Sequence, residues 1–172
     1  MQLRASGLPL KYYSEPQHST APLFYFGSGL SYADYSLGPR LDISVAGGGA
    51  LRSGATFTAT VNVSSAGPAG KCVVQVYASQ LAPTKFVAYQ QMLLCVAKAD
   101  VPADARDVAV AVACRADDLE LYDPDVGAYV TYSGNYTLSA ALDAGPSLAA
   151  TKAVATVTLQ GSYAWTPPWA RR

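Results

Sequence analysis

Few residues in this chain have the type and spacing that catalysis requires. His18, the only histidine, lies in a proline-rich stretch, which favours a solvated loop histidine over the base of a hydrolytic triad. Acidic residues cluster between positions 117 and 125, but adjacent Asp117 and Asp118 would point to opposite sides of a strand and form no natural acid/base pair. We therefore interpret this cluster as a polar turn between strands.

Two further patterns could bind a metal ion or a phosphate group. Asp123 and Asp125 can share one side of the chain, and with Glu120 they could offer oxygen ligands to calcium, although the segment lacks the longer spaced ligand loop. The three glycines at 47–49 are followed by neither a helix nor a Lys-Ser/Thr pair, so we interpret them as a turn. The sequence predicts no catalytic residue, no cofactor and no metal site.

The three cysteines, Cys72, Cys95 and Cys114, lie in apolar, strand-like surroundings and show no Cys-x-x-Cys spacing. We interpret all three as buried free thiols. One disulfide with a leftover thiol is the alternative. Metal binding is disfavoured because His18 is the only histidine that could join them.

The composition argues against several classes of partner. Twelve Lys and Arg residues balance twelve Asp and Glu residues, so no net charge would attract nucleic acid or an anionic membrane. No apolar stretch approaches the roughly 20 residues of a membrane helix, and the N-terminus lacks the apolar run of a signal peptide. With 51% hydrophobic residues the chain can bury a sizeable core. We expect neither a nucleic acid nor a membrane as partner.

Short β-rich runs separated by Gly, Pro, Ser and Asp occupy the chain from Leu41 onward. The alternation of Val108, Val110 and Val112 favours a strand over the helix that the surrounding alanines would allow. The sequence predicts strands within 41–45, 56–63, 72–78, 86–96, 108–114, 129–130, 136–142 and 151–159, with 129–130 as a short edge strand. This pattern is typical of an all-β, immunoglobulin-like antiparallel β-sandwich of about seven strands.

The chain divides into three sections by composition. Residues 1–36 are proline-rich and aromatic without a sustained period, and we interpret them as an extended N-terminal arm. Residues 37–162 form the sandwich. Residues 163–172 are an aromatic, proline-rich tail, for which we expect an irregular backbone.

Two sets of residues leave alternatives open. Tyr163, Trp165 and Trp169 either pack the tail against the domain, form an interface with another domain, or offer their rings to a sugar. Asn62 and Asn135 begin Asn-x-Ser/Thr acceptor patterns for glycosylation, which matter only if the chain is secreted.

The arm contains the sequence PLFYFGSGLSY at residues 22–32. It resembles the Pro-Leu-Tyr-Pro-Phe-Gly-Tyr-Gly-Leu-Ser-Tyr signature at the start of the C-terminal fibronectin type III-like domain of glycoside hydrolase family 3, which contains β-glucosidases and β-xylosidases. Tyr25 replaces the second proline of that signature, and Ser28 replaces an aromatic residue. Further segments are similar to family motifs in the family's order, at residues 1–4, 12–13, 70–77, 83–85, 118–119, 122–123 and 134–137.

Members of that family are retaining glycosidases whose nucleophile and acid/base lie on domains upstream of this module. The resemblance implies that this chain is a non-catalytic structural module and not an enzyme alone. It implies that Phe24, Phe26 and Tyr32 pack against the catalytic domains, in the same chain or in a separate one, and that the location is extracellular if the parent enzyme is secreted. A stand-alone carbohydrate-binding or adhesion module that uses the tail aromatics is the alternative.

Overall fold

The computed structural model of the chain describes residues 23–80, 92–145 and 153–166. In these ranges the chain forms eleven β-strands, one 3-10 helix and no α-helix, which confirms the all-β class. In chain order the elements are β1 Asp34–Val45, β2 Leu51–Arg52, β3 Thr56–Ala66, β4 Gly70–Gln80, β5 Met92–Val101, β6 Val108–Arg115, the 3-10 helix Ala116–Leu119, β7 Leu121–Asp123, β8 Ala128–Thr131, β9 Gly134–Ala141, β10 Val154–Gln160 and β11 Tyr163–Trp165. None of the helical residues in these ranges forms a segment long and apolar enough to cross a membrane.

The strands of the core follow the period-two pattern of the sequence. In β3, Phe57, Ala59, Val61 and Val63 are all buried, while the residues between them are half-buried or exposed. The same alternation runs through β6. Because β-branched valines lose side-chain freedom in a helix and pack well on a pleated surface, the valine run forms a strand. The preference for a strand over a helix in this region is confirmed.

Seven strands follow one another in the order β5-β4-β9-β10-β1-β3-β6, and β2 pairs with β10 beside this path. Neighbours along the path pair antiparallel, except β1 and β10, which meet at one parallel bridge between Arg40 and Val154. The bridge divides the path into two halves, and the buried side chains of both halves form one core. The architecture is the predicted sandwich of about seven strands.

A disulfide joins the two end strands of this path, β5 and β6. Cys95 on β5 bonds to Cys114 on β6, with Cα atoms 5.4 Å apart, so the bond joins the first and last strands of the path. Cys72 is a free thiol, and burial raises its pKa. The interpretation of all three cysteines as free thiols is therefore wrong. The alternative of one disulfide and one leftover thiol holds, because closure of the sandwich brings β5 beside β6.

Strands β11, β8 and β7 form a separate three-stranded antiparallel sheet, which we call the small sheet. The strand predicted at 129–130 is its central strand, so the edge position predicted for it is wrong. Residues 163–165 form a strand and not an irregular tail, because their backbone pairs with β8. The central position of β8 could not be inferred from its own residues, because β11, one of its two partners, is distant along the chain.

A buried tyrosine joins the small sheet to the sandwich. The hydroxyl of Tyr136 on β9 donates to the carbonyl oxygen of Tyr132, 2.7 Å away, in the connection that follows β8. This bond to backbone a few residues upstream resembles the tyrosine corner of immunoglobulin-like sandwiches. Burial raises the pKa of Tyr136 to about 12.

Some predicted boundaries can be placed against these elements. Strand β1 begins at Asp34, ahead of the predicted start of the sandwich at residue 37. Most of the strand predicted at 86–96 lies outside the described residues, and its end belongs to β5. His18 and Trp169 also lie outside the described residues.

Candidate binding surfaces

Residues 23–33, which we call the strap, precede β1 and contain no strand. Five of its large apolar side chains are exposed: Leu23 (89%), Phe24 (74%), Phe26 (67%), Leu30 (105%) and Tyr32 (98%). Phe24, Phe26 and Tyr32, the three residues that the family resemblance predicts at an interface, are among them. Removing apolar surface from water contributes about 25 cal/mol per Å², so several exposed apolar side chains in one short segment are typical of an interaction surface.

The strap is held to the sandwich mainly through its backbone. The amide of Ala144 donates to the carbonyl oxygen of Phe26 (2.8 Å), and the amide of Ser28 donates to the carbonyl oxygen of Tyr25 (2.9 Å), which closes a turn. Tyr25 is half-buried, and its ring lies so close to Gly145 that a Cβ there would be 2.9 Å from a ring carbon. Tyr25 therefore packs on this chain while its neighbours in the strap face outward.

Gly27 lets the strap cross the outer face of β4. A Cβ at Gly27 would come within 1.9 Å of the Gln75 side-chain nitrogen, and the Gly27 φ angle of +85° disfavours any other residue. Gln75 is buried and cannot yield freely, because its Nε2 donates to the carbonyl oxygen of Leu142 (3.0 Å) and its Oε1 accepts from the hydroxyl of Tyr77. Gly27 of the signature is therefore required by its positive φ angle and by its close approach to Gln75.

A second surface consists of aromatic side chains on the small sheet. The strand register places Tyr129 opposite both Tyr122 and Trp165, so the three side chains share one face. The rings of Tyr129 and Trp165 stack with centroids 5.3 Å apart and planes at 16°, and the ring of Tyr122 meets Tyr129 edge-on, also at 5.3 Å. We call these three residues the aromatic row. Tyr122 and Trp165 remain exposed at both ends of it.

Two further residues extend the aromatic row. The Nε1 of Trp165 donates to Oε2 of Glu120 at 2.6 Å, which fixes the indole ring. Tyr163 lies two residues before Trp165 on the same face of β11 and is exposed. Two of the three predicted tail aromatics therefore lie together. The sequence analysis missed Tyr122 and Tyr129, although the turn-forming Asp-Pro-Asp-Val-Gly-Ala between them could have indicated a hairpin.

The acidic cluster is used in local structural contacts. Asp117 accepts a hydrogen bond from the amide of Gly54 (2.7 Å), and this bond is the main cause of its lowered pKa. Asp123 is fully buried and accepts from the amide of Asp125 (2.9 Å) and from the hydroxyl of Tyr132. These contacts match the predicted polar turn. In the described ranges no group of three or more His, Cys, Asp or Glu side chains could hold a metal ion.

Both asparagines of the glycosylation patterns lie on strands and are exposed. Asn62 is on β3, and Asn135 is on β9, where its Oδ1 accepts from the hydroxyl of Thr158 at 2.7 Å. Whether either carries a glycan depends on secretion of the chain.

No protein-family model matches the sequence, and no curated protein sequence matches it significantly. Solved structures of β-glucosidases do match the fold. The enzyme from Kluyveromyces marxianus, crystallised with glucose, has a TM-score of 0.70 and 23% identity, over 90% of this chain and 17% of that chain. DesR, a β-glucosidase from Streptomyces venezuelae in complex with D-glucose, has a TM-score of 0.65 and 26% identity, over 83% and 17%. A GH3 β-glucosidase from Bifidobacterium adolescentis has a TM-score of 0.62 and 22% identity, over 80% and 19%.

These matches identify the class of domain to which the fold corresponds. Most of the chain has the fold of one all-β sandwich domain that occurs within much larger enzymes, since it spans 17% to 19% of their length. Those enzymes are β-glucosidases, and one of them is described as a member of glycoside hydrolase family 3. The resemblance to a β-sandwich domain of family 3 glycosidases is therefore confirmed at the level of the fold.

Proposed function

We propose that this chain is a non-catalytic accessory module of a family 3-type β-glycosidase and that the strap is its docking surface for the catalytic domains. One observation carries the proposal: the backbone of the strap is hydrogen-bonded to the sandwich, whereas its aromatic side chains are exposed to solvent. Phe26 shows both features, because its carbonyl oxygen accepts from the amide of Ala144 while its ring is 67% exposed.

The energetics favour a covered strap in the working protein. Full burial of one large apolar side chain contributes roughly 1.5 to 3 kcal/mol. Phe24, Phe26 and Tyr32 lie within nine positions of one another in a segment whose backbone is anchored at Phe26, so a single partner surface could cover all three rings. Domain interfaces inside one chain typically bury about 600 to 1,500 Å², and the strap with its five exposed apolar side chains suits that size.

The size of the matched enzymes indicates what the partner is. This chain spans about a sixth of the Kluyveromyces marxianus and Streptomyces venezuelae β-glucosidases. The remainder of such an enzyme supplies the surface for the strap, either in the same chain or as a separate subunit. Retaining hydrolysis requires two carboxyl groups about 5 to 5.5 Å apart beside a sugar-sized cleft. Asp117 and Asp123 have structural partners instead, so we expect no hydrolysis by this chain alone.

Activity assays test this function in two arms. The purified 172-residue chain should not turn over nitrophenyl β-glucoside or nitrophenyl β-xyloside. Antibodies against the chain should capture hydrolysis of one of these substrates from an extract of the source organism, together with the remaining enzyme domains. Turnover by the purified chain contradicts the proposal, and so does capture of the native chain without any glycosidase activity.

A further inference from the structure

We propose that the aromatic row and Glu120 form a binding site for β-linked oligosaccharides of pyranose sugars. The site is distinct from the strap and goes beyond the structural role proposed above. The preference for β-linked sugars rests on the proposed relation to β-glycosidases. The prediction that a sugar stacks here rests only on the geometry of the small sheet.

The rings of the aromatic row are fixed before any ligand arrives. Tyr129 lies between Tyr122 and Trp165 and contacts both rings at centroid distances of 5.3 Å. The bond from Trp165 Nε1 to Glu120 Oε2 restrains the indole further. Because ordering a side chain on binding costs free energy, a row that is already ordered binds a rigid ligand better than isolated surface rings do.

Trp165 is 37% exposed, and its outer side faces no strand of the described residues. In the described part of the chain β11 pairs only with β8, so the indole face opposite Tyr129 has no neighbouring strand. A pyranose presents a face of axial C–H groups, which packs on the electron-rich face of an aromatic ring. Tyr163, two residues away on the same side, lies about 6.6 Å along the strand. This spacing leaves room for a second sugar unit of the same oligosaccharide.

Glu120 favours a sugar over an apolar protein surface as the ligand. One carboxylate oxygen accepts from Trp165, and the other has no hydrogen-bond partner among the described residues. Sugar hydroxyls are donors that can fill its free lone pairs. An apolar protein face would instead bury a charge without pairing it, which is costly. An aromatic platform with a carboxylate at its edge therefore matches the mixed apolar and hydroxyl-rich surface of a pyranose.

Fluorescence of Trp165 tests binding directly in the full chain. The chain has two tryptophans, so Trp169→Phe leaves Trp165 as the only one. Titration of this variant with cellohexaose or xylohexaose should produce a saturable change in emission, and maltohexaose, which is α-linked, should bind more weakly. In saturation-transfer NMR with the unmodified chain, the axial ring protons of the bound sugar should receive the strongest transfer. A flat titration with both β-linked sugars overturns the proposal, and equal binding of maltohexaose overturns the preference for β-linked sugars.

Variants measured by calorimetry identify the residues involved. Trp165→Ala and Tyr163→Ala should weaken binding of cellohexaose about tenfold or more, whereas Trp165→Phe, which keeps a ring in the stack, should weaken it only a few-fold. Tyr32→Ala removes a ring of the strap that is more exposed than Trp165 (98% against 37%) and should leave sugar binding unchanged. Circular dichroism checks that each variant is folded. If Tyr32→Ala and Trp165→Ala weaken binding equally, the row is not a sugar site.

Discussion

The strap and the aromatic row both expose aromatic rings, yet the two regions hold those rings in opposite ways. In the strap, the backbone and Tyr25 contact the sandwich while Phe24 and Phe26 face away from it. In the row, Tyr129 stacks on Trp165 and the backbone forms a regular sheet.

The difference shows that exposure alone does not define the purpose of an aromatic side chain. Rings that are mostly exposed beside an anchored backbone gain most from a surface that covers them, as another domain does. Rings that already contact each other keep one face for a small, flat ligand. We therefore assign a protein partner to the strap and a sugar to the row, and the two assignments can fail independently.

The largest expected effect comes from breaking the sandwich that carries both regions. Reduction of the Cys95–Cys114 disulfide should lower the free energy of unfolding by about 3 kcal/mol, because the bond closes a loop between residues 19 positions apart in the unfolded chain. Urea unfolding with and without reductant measures this loss.

Cys72→Ala is the matched control for the disulfide. This substitution removes the buried thiol that forms no disulfide. The stability of the variant should therefore depend on reductant as strongly as that of the unmodified chain. The double variant Cys95→Ala, Cys114→Ala should show no dependence on reductant. Identical urea midpoints for the oxidised and the fully reduced chain would show that the disulfide does not hold the sandwich closed.

A second variant separates the small sheet from the sandwich. Tyr136→Phe leaves the carbonyl oxygen of Tyr132 without its donor and should cost about 2 kcal/mol, within the usual range for an unsatisfied buried group. The ring contacts of the aromatic row should become more mobile, whereas the strap should not change. Urea unfolding gives the cost, and relaxation of the Trp165 indole NMR signal reports the mobility of the row. An unchanged unfolding free energy would exclude a role for this bond in joining the two sheets.

The same tyrosine makes stability sensitive to alkali. The pKa of Tyr136 and that of Tyr132 are both about 12 in the folded chain, above the ordinary value of 10, with burial as the leading cause in each case. Because the folded state favours the neutral phenols, their contribution is fully present below about pH 10 and is lost as the pH rises through 12. Unfolding measured across this window should show the loss, and Tyr136→Phe should show a smaller one.

The sequence predicted the core well and the connections poorly, for physical reasons. Period-two alternation in Phe57 to Val63 and in Val108 to Cys114 indicates buried strands, and both are present. The Cys95–Cys114 bond could not be inferred, because it depends on which strands close the sandwich. The place of Trp165 in the aromatic row could not be inferred for the same reason, since β11 pairs with a strand that is distant along the chain. Tyr122 and Tyr129 were missed although they lie on neighbouring strands of one hairpin. The exposed rings of the strap were expected, but only from the family signature.

The third variant tests how the strap is anchored. Gly27→Ala should destabilise the strap by about 1 to 2 kcal/mol, because the new residue would have a positive φ and would contact the buried amide of Gln75. The amide hydrogen of Ala144, which bonds to Phe26, should then exchange faster with solvent. Gly29→Ala is the matched control, because a Cβ at that position would have no atom within 4 Å. In this variant the exchange rate of the Ala144 amide hydrogen should be unchanged. Equal exchange in both variants would contradict the anchoring contact at Gly27.

The smallest effect separates the two kinds of exposed ring. In the chain by itself, Tyr129→Ala should cost about 1 kcal/mol or more through the lost ring contacts. Phe24→Ala and Phe26→Ala should each change the free energy of unfolding by less than about 0.5 kcal/mol, because these side chains have few contacts to lose. Urea titration compares the three variants. Equal losses would remove the distinction between the two regions.

Radical labelling of the strap tests the central claim most directly. Phe24, Phe26 and Tyr32 should react strongly with hydroxyl radicals in the purified chain, because they are 74%, 67% and 98% exposed. In the native glycosidase captured through this chain, the same three residues should be protected, while Tyr122 and Trp165 should react as in the purified chain. Equal labelling of the strap in both forms would contradict its assignment as the docking surface for the catalytic domains.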